Sequence, residues 1–288
     1  MRLTIRDIHK LKAAGQKIAM LTAYDAVSAR LGEGAGAQML LVGDTLGMVI
    51  QGHDSTIPVT LDHVIYHAEI VARVTHKALV VGDMPFMTYK ISAEQALTNA
   101  ARLMQEAQVS TVKLEGGEPY APTIARIVAA GIPVMAHIGL LPQSIEAVGG
   151  FRVQGKDLET ARQLLRDARA VQDAGAYAVV LELVPAPLAA LITAELDIPT
   201  IGIGAGAGCD GQVQVFHDLL ALFDAFVPRH TKQYAQIGAL IREALAAYVR
   251  DVTAGAFPTD EQSFSLSPEV LAALTDTHNK ADDNASHR

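Results

Sequence analysis

Residues 110–117 read STVKLEGG, a short strand-like run that carries Lys113 and closes on Glu115 before two glycines. Residues two apart on a strand share a face, so this run places an ammonium and a carboxylate on one side of its end. Four more runs finish in the same manner: AQMLLVGD (37–44) on Asp44, ALVVGD (78–83) on Asp83, IPVMAHIG (132–139) at His137 and AYAVVLEL (176–183) at Glu182. A buried strand gains nothing from a charge at its end, because an unpaired buried charge is costly. If these runs are parallel strands of one barrel, their C-terminal ends meet on one face. Active sites of such barrels lie on that face.

The wider pattern supports this reading. Strands are expected at 17–24, 37–43, 78–82, 110–114, 132–137, 176–182, 198–203 and 212–216, most of them apolar on both faces as helix-covered strands are. Helical periodicity fills the gaps. After Thr60, Leu61, Val64, Ile65, Ala68, Val71 and Ala72 share a face. Ser92 with Gln95 reads as a capping box opening a helix over 93–107. Further helices are expected from 158 to near Gly175 and over 231–252, and a helix over 4–14 is placed to plug the bottom of the barrel. The predicted fold is a single (β/α)8 barrel over 1–265 with an extra N-terminal helix. The stretch 266–288, ending DTHNKADDNASHR, reads as a largely disordered tail. Residues 45–60 form a βα loop longer than such loops usually are, as lids and substrate walls often are.

The 288 residues are 50% hydrophobic and 19% charged, with a formal net charge of -8. Acids and bases are mixed, and no basic stripe with aromatics appears, so nucleic acid is not an expected partner. Neither a signal-peptide core nor a membrane-spanning apolar stretch appears. The single Cys209 excludes an internal disulfide and fits a reducing compartment. The chain reads as cytoplasmic, and its low charged fraction favours an oligomer.

Asp44, Asp83 and Glu115 make an all-oxygen set suited to a hard cation such as Mg²⁺, whereas no Cys/His cluster points to zinc. The competing reading is that the aspartates cap following turns. Lys113 is placed to meet an anionic substrate, or else a neighbouring acid in a salt bridge. His137 is either a hydrogen-bonded core histidine or a substrate contact. Glu182, inside an apolar stretch, suits a general base because burial raises a carboxylate pKa, although a structural ion pair would also explain it. GIGAGAG (202–208) is a weak candidate for a phosphate cradle.

The chain resembles the ketopantoate hydroxymethyltransferase family. The blocks that carry the resemblance are MLTAYDA (20–26), LLVGDTLGMVIQGHDSTIPVTLD (40–62), VVGDMPFMTY (80–89), VKLEGG (112–117), PVMAHIGLLPQ (133–143), GGFRVQG (149–155), VVLELVP (179–185) and IPTIGIGAG (198–206). The resemblance implies a barrel that binds Mg²⁺ and passes a hydroxymethyl group from 5,10-methylenetetrahydrofolate to 3-methyl-2-oxobutanoate. It implies Asp44, Asp83 and Glu115 as metal ligands, one of them through water. It also implies Asp44, Thr45, Asp83 and Lys113 as substrate contacts with His137 nearby, Glu182 as base, and a homodecamer of two pentamers. The family often carries serine where this chain has Thr45, which keeps the hydroxyl. The nearest alternative is a Mg²⁺-dependent keto-acid lyase of the isocitrate-lyase type. A flavin- or phosphate-binding barrel and a non-catalytic keto-acid-binding barrel are the others.

Overall fold

The computed structural model describes residues 1–222 and 227–285. Eight strands, β1 (Ile18–Thr22), β2 (Met39–Val42), β3 (Leu79–Asp83), β4 (Thr111–Glu115), β5 (Val134–Gly139), β6 (Ala178–Glu182), β7 (Thr200–Ile203) and β8 (Gly211–Gln214), pair in chain order into a closed barrel. All pairs are parallel, including β8 with β1, so the expected (β/α)8 fold stands.

Strand alternation divides the apolar residues into two cores. Ile18, Met20, Met39, Leu79, Val81, Met135, Ala178, Val180, Ile201 and Val213 fill the barrel interior. Leu40, Val42, Val80, Val112, Leu114, Ala136, Val179 and Leu181 point outward against the surrounding helices. The helix Leu61–Val74 buries Leu61, Val64, Ile65, Ala68 and Val71 on this outer layer. Each large side chain so buried stabilises by roughly 1.5–3 kcal/mol.

Caps set the helix starts. Thr60 Oγ1 accepts from His63 N at 3.2 Å, and Asp157 Oδ1 accepts from Thr160 N at 2.9 Å. Ser92 Oγ accepts from Gln95 N at 3.1 Å, but Gln95 Oε1 answers the amide of Ile91, not that of Ser92.

The N-terminal helix Ile5–Ala13 lies under the barrel as expected. Leu3 N donates to Lys77 O, and His9 Nε2 lies 2.9 Å from Tyr177 O, both just before strand starts. Its Ile8 is fully buried in the interior core and closes the lower end.

Three boundaries differ from the sequence reading. The helix expected over 231–252 runs Ile237–Thr253, because residues 231–234 bond back to the barrel. Thr231 Oγ1 donates to Gln214 Oε1, and Tyr234 N donates to Leu219 O. The compact units are Met1–Gln236 and Ile237–Arg288, with the division earlier than residue 265. Within the stretch expected to be disordered, Pro268–Ala285 is helical. Its first turns carry good helix formers, Glu269, Leu271, Ala272, Ala273 and Leu274, and Ser267 Oγ accepts from Val270 N. Residues 286–288 of that stretch lie outside the described residues.

Candidate active site

Strand parity brings the expected residues together. Asp83 continues the inward series of Leu79 and Val81, Glu182 that of Ala178 and Val180, and His137 that of Met135. Register then makes neighbours: Asp83 pairs with Lys113, Glu115 with His137, and Gly139 with Glu182. Gly139 is required at its position. Its φ is +95°, and a Cβ there would stand 2.2 Å from Glu182 O. Just beyond Glu182 the chain turns through Leu183 at φ 47°, a left-handed conformation costing a non-glycine residue roughly 1–2 kcal/mol. Leu183 N donates to Ile203 O, and Leu183 O accepts from Gln154 N, which hold the turn.

Lys113 Nζ lies 2.9 Å from Asp83 Oδ2 and 3.4 Å from Glu115 Oε1, the salt bridge to neighbouring acids that its sequence position also allowed. His137 sits between two acids, with Nδ1 3.6 Å from Glu115 Oε1 and Nε2 3.3 Å from Glu182 Oε2. Neither ring nitrogen is aligned for a hydrogen bond. Asp44 N donates to Asp83 Oδ2 at 3.2 Å, and Asp44 Oδ2 accepts from Gln143 Nε2 at 2.9 Å. Neither aspartate side chain caps a helix. Thr45 begins the short helix Leu46–Val49 with no side-chain cap bond. Asp44, Thr45, Asp83, Lys113, Glu115, His137 and Glu182 all line one small pocket, whose apolar wall includes Leu41, Val180, Ile203 and Val213.

Four carboxylates in this pocket face one ammonium. Burial pushes Asp44, Asp83 and Glu115 above the ordinary carboxylate range, and Lys113 only partly offsets it. Burial opposes the charge on Lys113, but Asp83, Glu115 and Asp44 together hold it above the usual lysine value. Burial, and next Lys113, lower His137, which favours the neutral imidazole. Glu182 is less enclosed than its apolar sequence suggests, at 13% side-chain exposure.

The donor set fits a hydrated divalent cation. It is all oxygen, it has a surplus of negative charge, and the buried Asp83 Oδ1 has no partner. Among the described residues, no three His, Cys, Asp or Glu side chains are already gathered as a complete ligand cage. Mg²⁺ needs no such cage, since it keeps several waters and uses one or two carboxylates.

The pocket opens into a cleft of about 1210 Å³. Thr45, Pro142, Glu182, Ile203 and Val215 line both. Loop 45–60 supplies Met48, Val49, Asp54, Ser55 and Thr56 to one wall, so it walls the site as expected. Gly204 and Gly206 of GIGAGAG also line the cleft, but a Cβ on Gly206 or Gly208 would stand 2.4 or 2.8 Å from Ala186 or Ala190. These last glycines serve close packing on the helix Ala186–Glu195.

Two residues of the site were not singled out in the sequence. Gln143 is 2% exposed and Tyr89 is 1% exposed, and Tyr89 OH donates to Gln143 Oε1 at 2.7 Å. The available signal was a polar residue directly after the apolar run GLLP.

Comparison with known proteins agrees with the geometry. A family model described as ketopantoate hydroxymethyltransferase matches residues 2–260. The 3-methyl-2-oxobutanoate hydroxymethyltransferase of Chloroflexus aggregans is 58% identical, covering 95% of this chain and 97% of its own. That of Carboxydothermus hydrogenoformans is 53% identical, covering 95% and 99%. Among solved structures, phosphonopyruvate hydrolase superposes with a TM-score of 0.60 at 14% identity, covering 99% of this chain and 100% of its own. A 2,3-dimethylmalate lyase of the PEP mutase/isocitrate lyase superfamily superposes with a TM-score of 0.58 at 16% identity, covering both chains fully at 100%. These two likenesses concern the fold alone. With its family-wide sequence match and its cluster of acids around Lys113 at the barrel mouth, the chain belongs to the ketopantoate hydroxymethyltransferase family.

Proposed function

We propose that the chain transfers a hydroxymethyl group from 5,10-methylenetetrahydrofolate to 3-methyl-2-oxobutanoate, giving 2-dehydropantoate for pantothenate and coenzyme A synthesis. The observation that carries this reading is the excess of acids in the small pocket, four carboxylates around one ammonium beside an apolar wall. A branched keto acid matches both features when a cation accompanies it.

Asp44, Asp83 and Glu115 are the residues to hold Mg²⁺. Both Glu115 oxygens are engaged, Oε1 near Lys113 and Oε2 by the amide of Gln143, so this acid is suited to act through water. Bound there, Mg²⁺ would supply charge balance and Lewis-acid polarisation of the ketone. Lys113 and His137 take the polar end of the keto acid, with Thr45 offering its hydroxyl. Glu182 receives the proton from the carbon beside the ketone. In the folate the methylene carbon is held by two nitrogens. Water breaks both carbon–nitrogen bonds and releases the carbon as formaldehyde, its two protons going one to each nitrogen. The carbon beside the ketone, its proton on Glu182, then bonds to the formaldehyde carbon, and Glu182 returns that proton to the oxygen, which becomes the hydroxyl. The wide cleft beside Glu182 has room for the folate, being at the upper end of small-molecule sites.

The lyase alternative would share the metal and the proton abstraction but needs no folate, so the folate requirement separates the two. The proposal includes a cytoplasmic homodecamer. Val27, Leu31 and Tyr66 of the barrel unit, each more than half exposed, support an oligomer, and light scattering tests it. Among the described residues no helix is long and apolar enough to cross a membrane.

The test is NMR in D₂O. Mg²⁺-dependent exchange of the proton beside the ketone, then 2-dehydropantoate once methylenetetrahydrofolate is added, is the expected result. Neither exchange nor product would overturn the substrate assignment. Exchange without folate-dependent product would point to a different electrophile.

A further inference from the structure

Gln143 has no part in the chemistry above, yet from the end of one strand its polar atoms reach the ends of three others. It follows β5 in the turn Pro142–Ser144. Its Nε2 donates to Asp44 Oδ2, after β2, at 2.9 Å and to Met84 O, after β3, at 3.0 Å. Its backbone amide donates to Glu115 Oε2, on β4, at 3.1 Å. Its Oε1 accepts from Tyr89 OH at 2.7 Å, and that same phenol oxygen accepts from Glu115 N at 3.2 Å. Both side-chain donors are thus used, and the amide oxygen is held by the phenol. The Met84 carbonyl can only accept, which fixes which end of the amide faces Asp44.

We propose that Gln143 is a positioning residue that holds Asp44 and Glu115 in ligating orientation for a divalent cation; this rests on the Mg²⁺ reading given above. The place requires a neutral donor. Lysine would neutralise Asp44 and occupy the charge that the cation should meet. Glutamate would add a fifth carboxylate and lose the donors that Met84 O and Asp44 accept. Glutamine orients the carboxylate and leaves its charge available. Tyr89 in turn holds the glutamine amide, so the support is two residues deep. The turn that carries Gln143 continues into Ile145 and Glu146 on the cleft wall. Gln143 therefore joins that wall, through the backbone, to the two acids, through hydrogen bonds.

The experiment is titration of the full-length, ligand-free chain with MgCl₂ alone by calorimetry, repeated with Mn²⁺ by electron paramagnetic resonance. Thermal melting of each variant runs alongside. Gln143→Met keeps the volume and removes both polar ends. It is expected to weaken Mg²⁺ binding by about tenfold. Tyr89→Phe removes one hydroxyl and is expected to weaken binding by roughly threefold. A purely structural role would lower the melting temperature and leave the Kd unchanged. Wild-type Kd values in both folded variants, with binding abolished in Asp83→Asn, would overturn the role of Gln143 and leave the metal reading intact. If Gln143→Met fails to fold, Tyr89→Phe decides, and an unchanged Kd overturns the proposal. No binding of either ion by the wild type would overturn both readings.

Discussion

The two ends of the barrel interior are made by the same strands and follow opposite rules. At the N-terminal end Ile8, Ile18, Met39 and Leu79 are each no more than 1% exposed and belong to the apolar interior core. At the C-terminal end Asp44, Asp83, Lys113, Glu115 and His137 are almost as buried, at 4% exposure or less, yet all are polar or charged. Burial stabilises the first set and penalises the second. The lower end supplies stability that the upper end consumes. Replacements at the two ends should therefore separate folding from turnover.

The largest separation is expected at Glu182. Glu182→Gln keeps the shape and removes the base. Exchange of the keto-acid proton should fall by about 10²–10⁴-fold while the melting temperature stays near wild type. Retained exchange would remove Glu182 from its role. The converse is Ile8→Ala, which opens a cavity under the barrel. It should cost about 2–5 kcal/mol in denaturant unfolding, with kcat nearly unchanged at a temperature where the variant is folded. A large loss of kcat in folded Ile8→Ala would break the division of labour between the two ends.

A smaller effect of opposite sign is expected at the mouth. Glu115→Gln removes a charge that burial disfavours. The metal-free chain should gain about 1 kcal/mol, or about 3 °C in melting temperature, and lose Mg²⁺ binding. A lower melting temperature would show that the acids at the mouth already sit in a relaxed network. The smallest effect concerns Asp218 in the wide cleft, whose carboxyl burial pushes up to about 6. The folded chain binds this proton more tightly than the unfolded chain does. Stability from this group is therefore present at low pH, is lost as pH rises through about 4 to 6, and is level above. Asp218→Asn should flatten that part of the melting-temperature profile, and an unchanged profile would remove the assignment.

The barrel was legible because two signals coincided, apolar runs of strand length and ionisable residues at their ends. Strand parity then sufficed to bring Asp83, Lys113, Glu115, His137 and Glu182 into one pocket, since a period of two fixes the face. Gln143 and Tyr89 were not legible because they reach the site from loops, where no period says which way a side chain points. The helix over Pro268–Ala285 was missed for a different reason. Its polar composition argued against a packed core, and composition does not register that Leu, Ala and Glu at its start favour a helix locally. The bond of Tyr234 N to Leu219 O, which delays the helix at Ile237, is likewise a tertiary contact without a local signature.

Ile8 under the barrel has a kinetic consequence. With the lower end closed, the small pocket communicates outward through the cleft with which it shares Thr45, Pro142, Glu182 and Val215. On the proposed reading, a folate seated in that cleft stands across this route to the pocket. Keto acid must then add before the folate, and 2-dehydropantoate must depart after the spent carrier. A dead-end folate analogue should accordingly trap labelled keto acid on the protein, and steady-state inhibition patterns should show a compulsory sequence of addition.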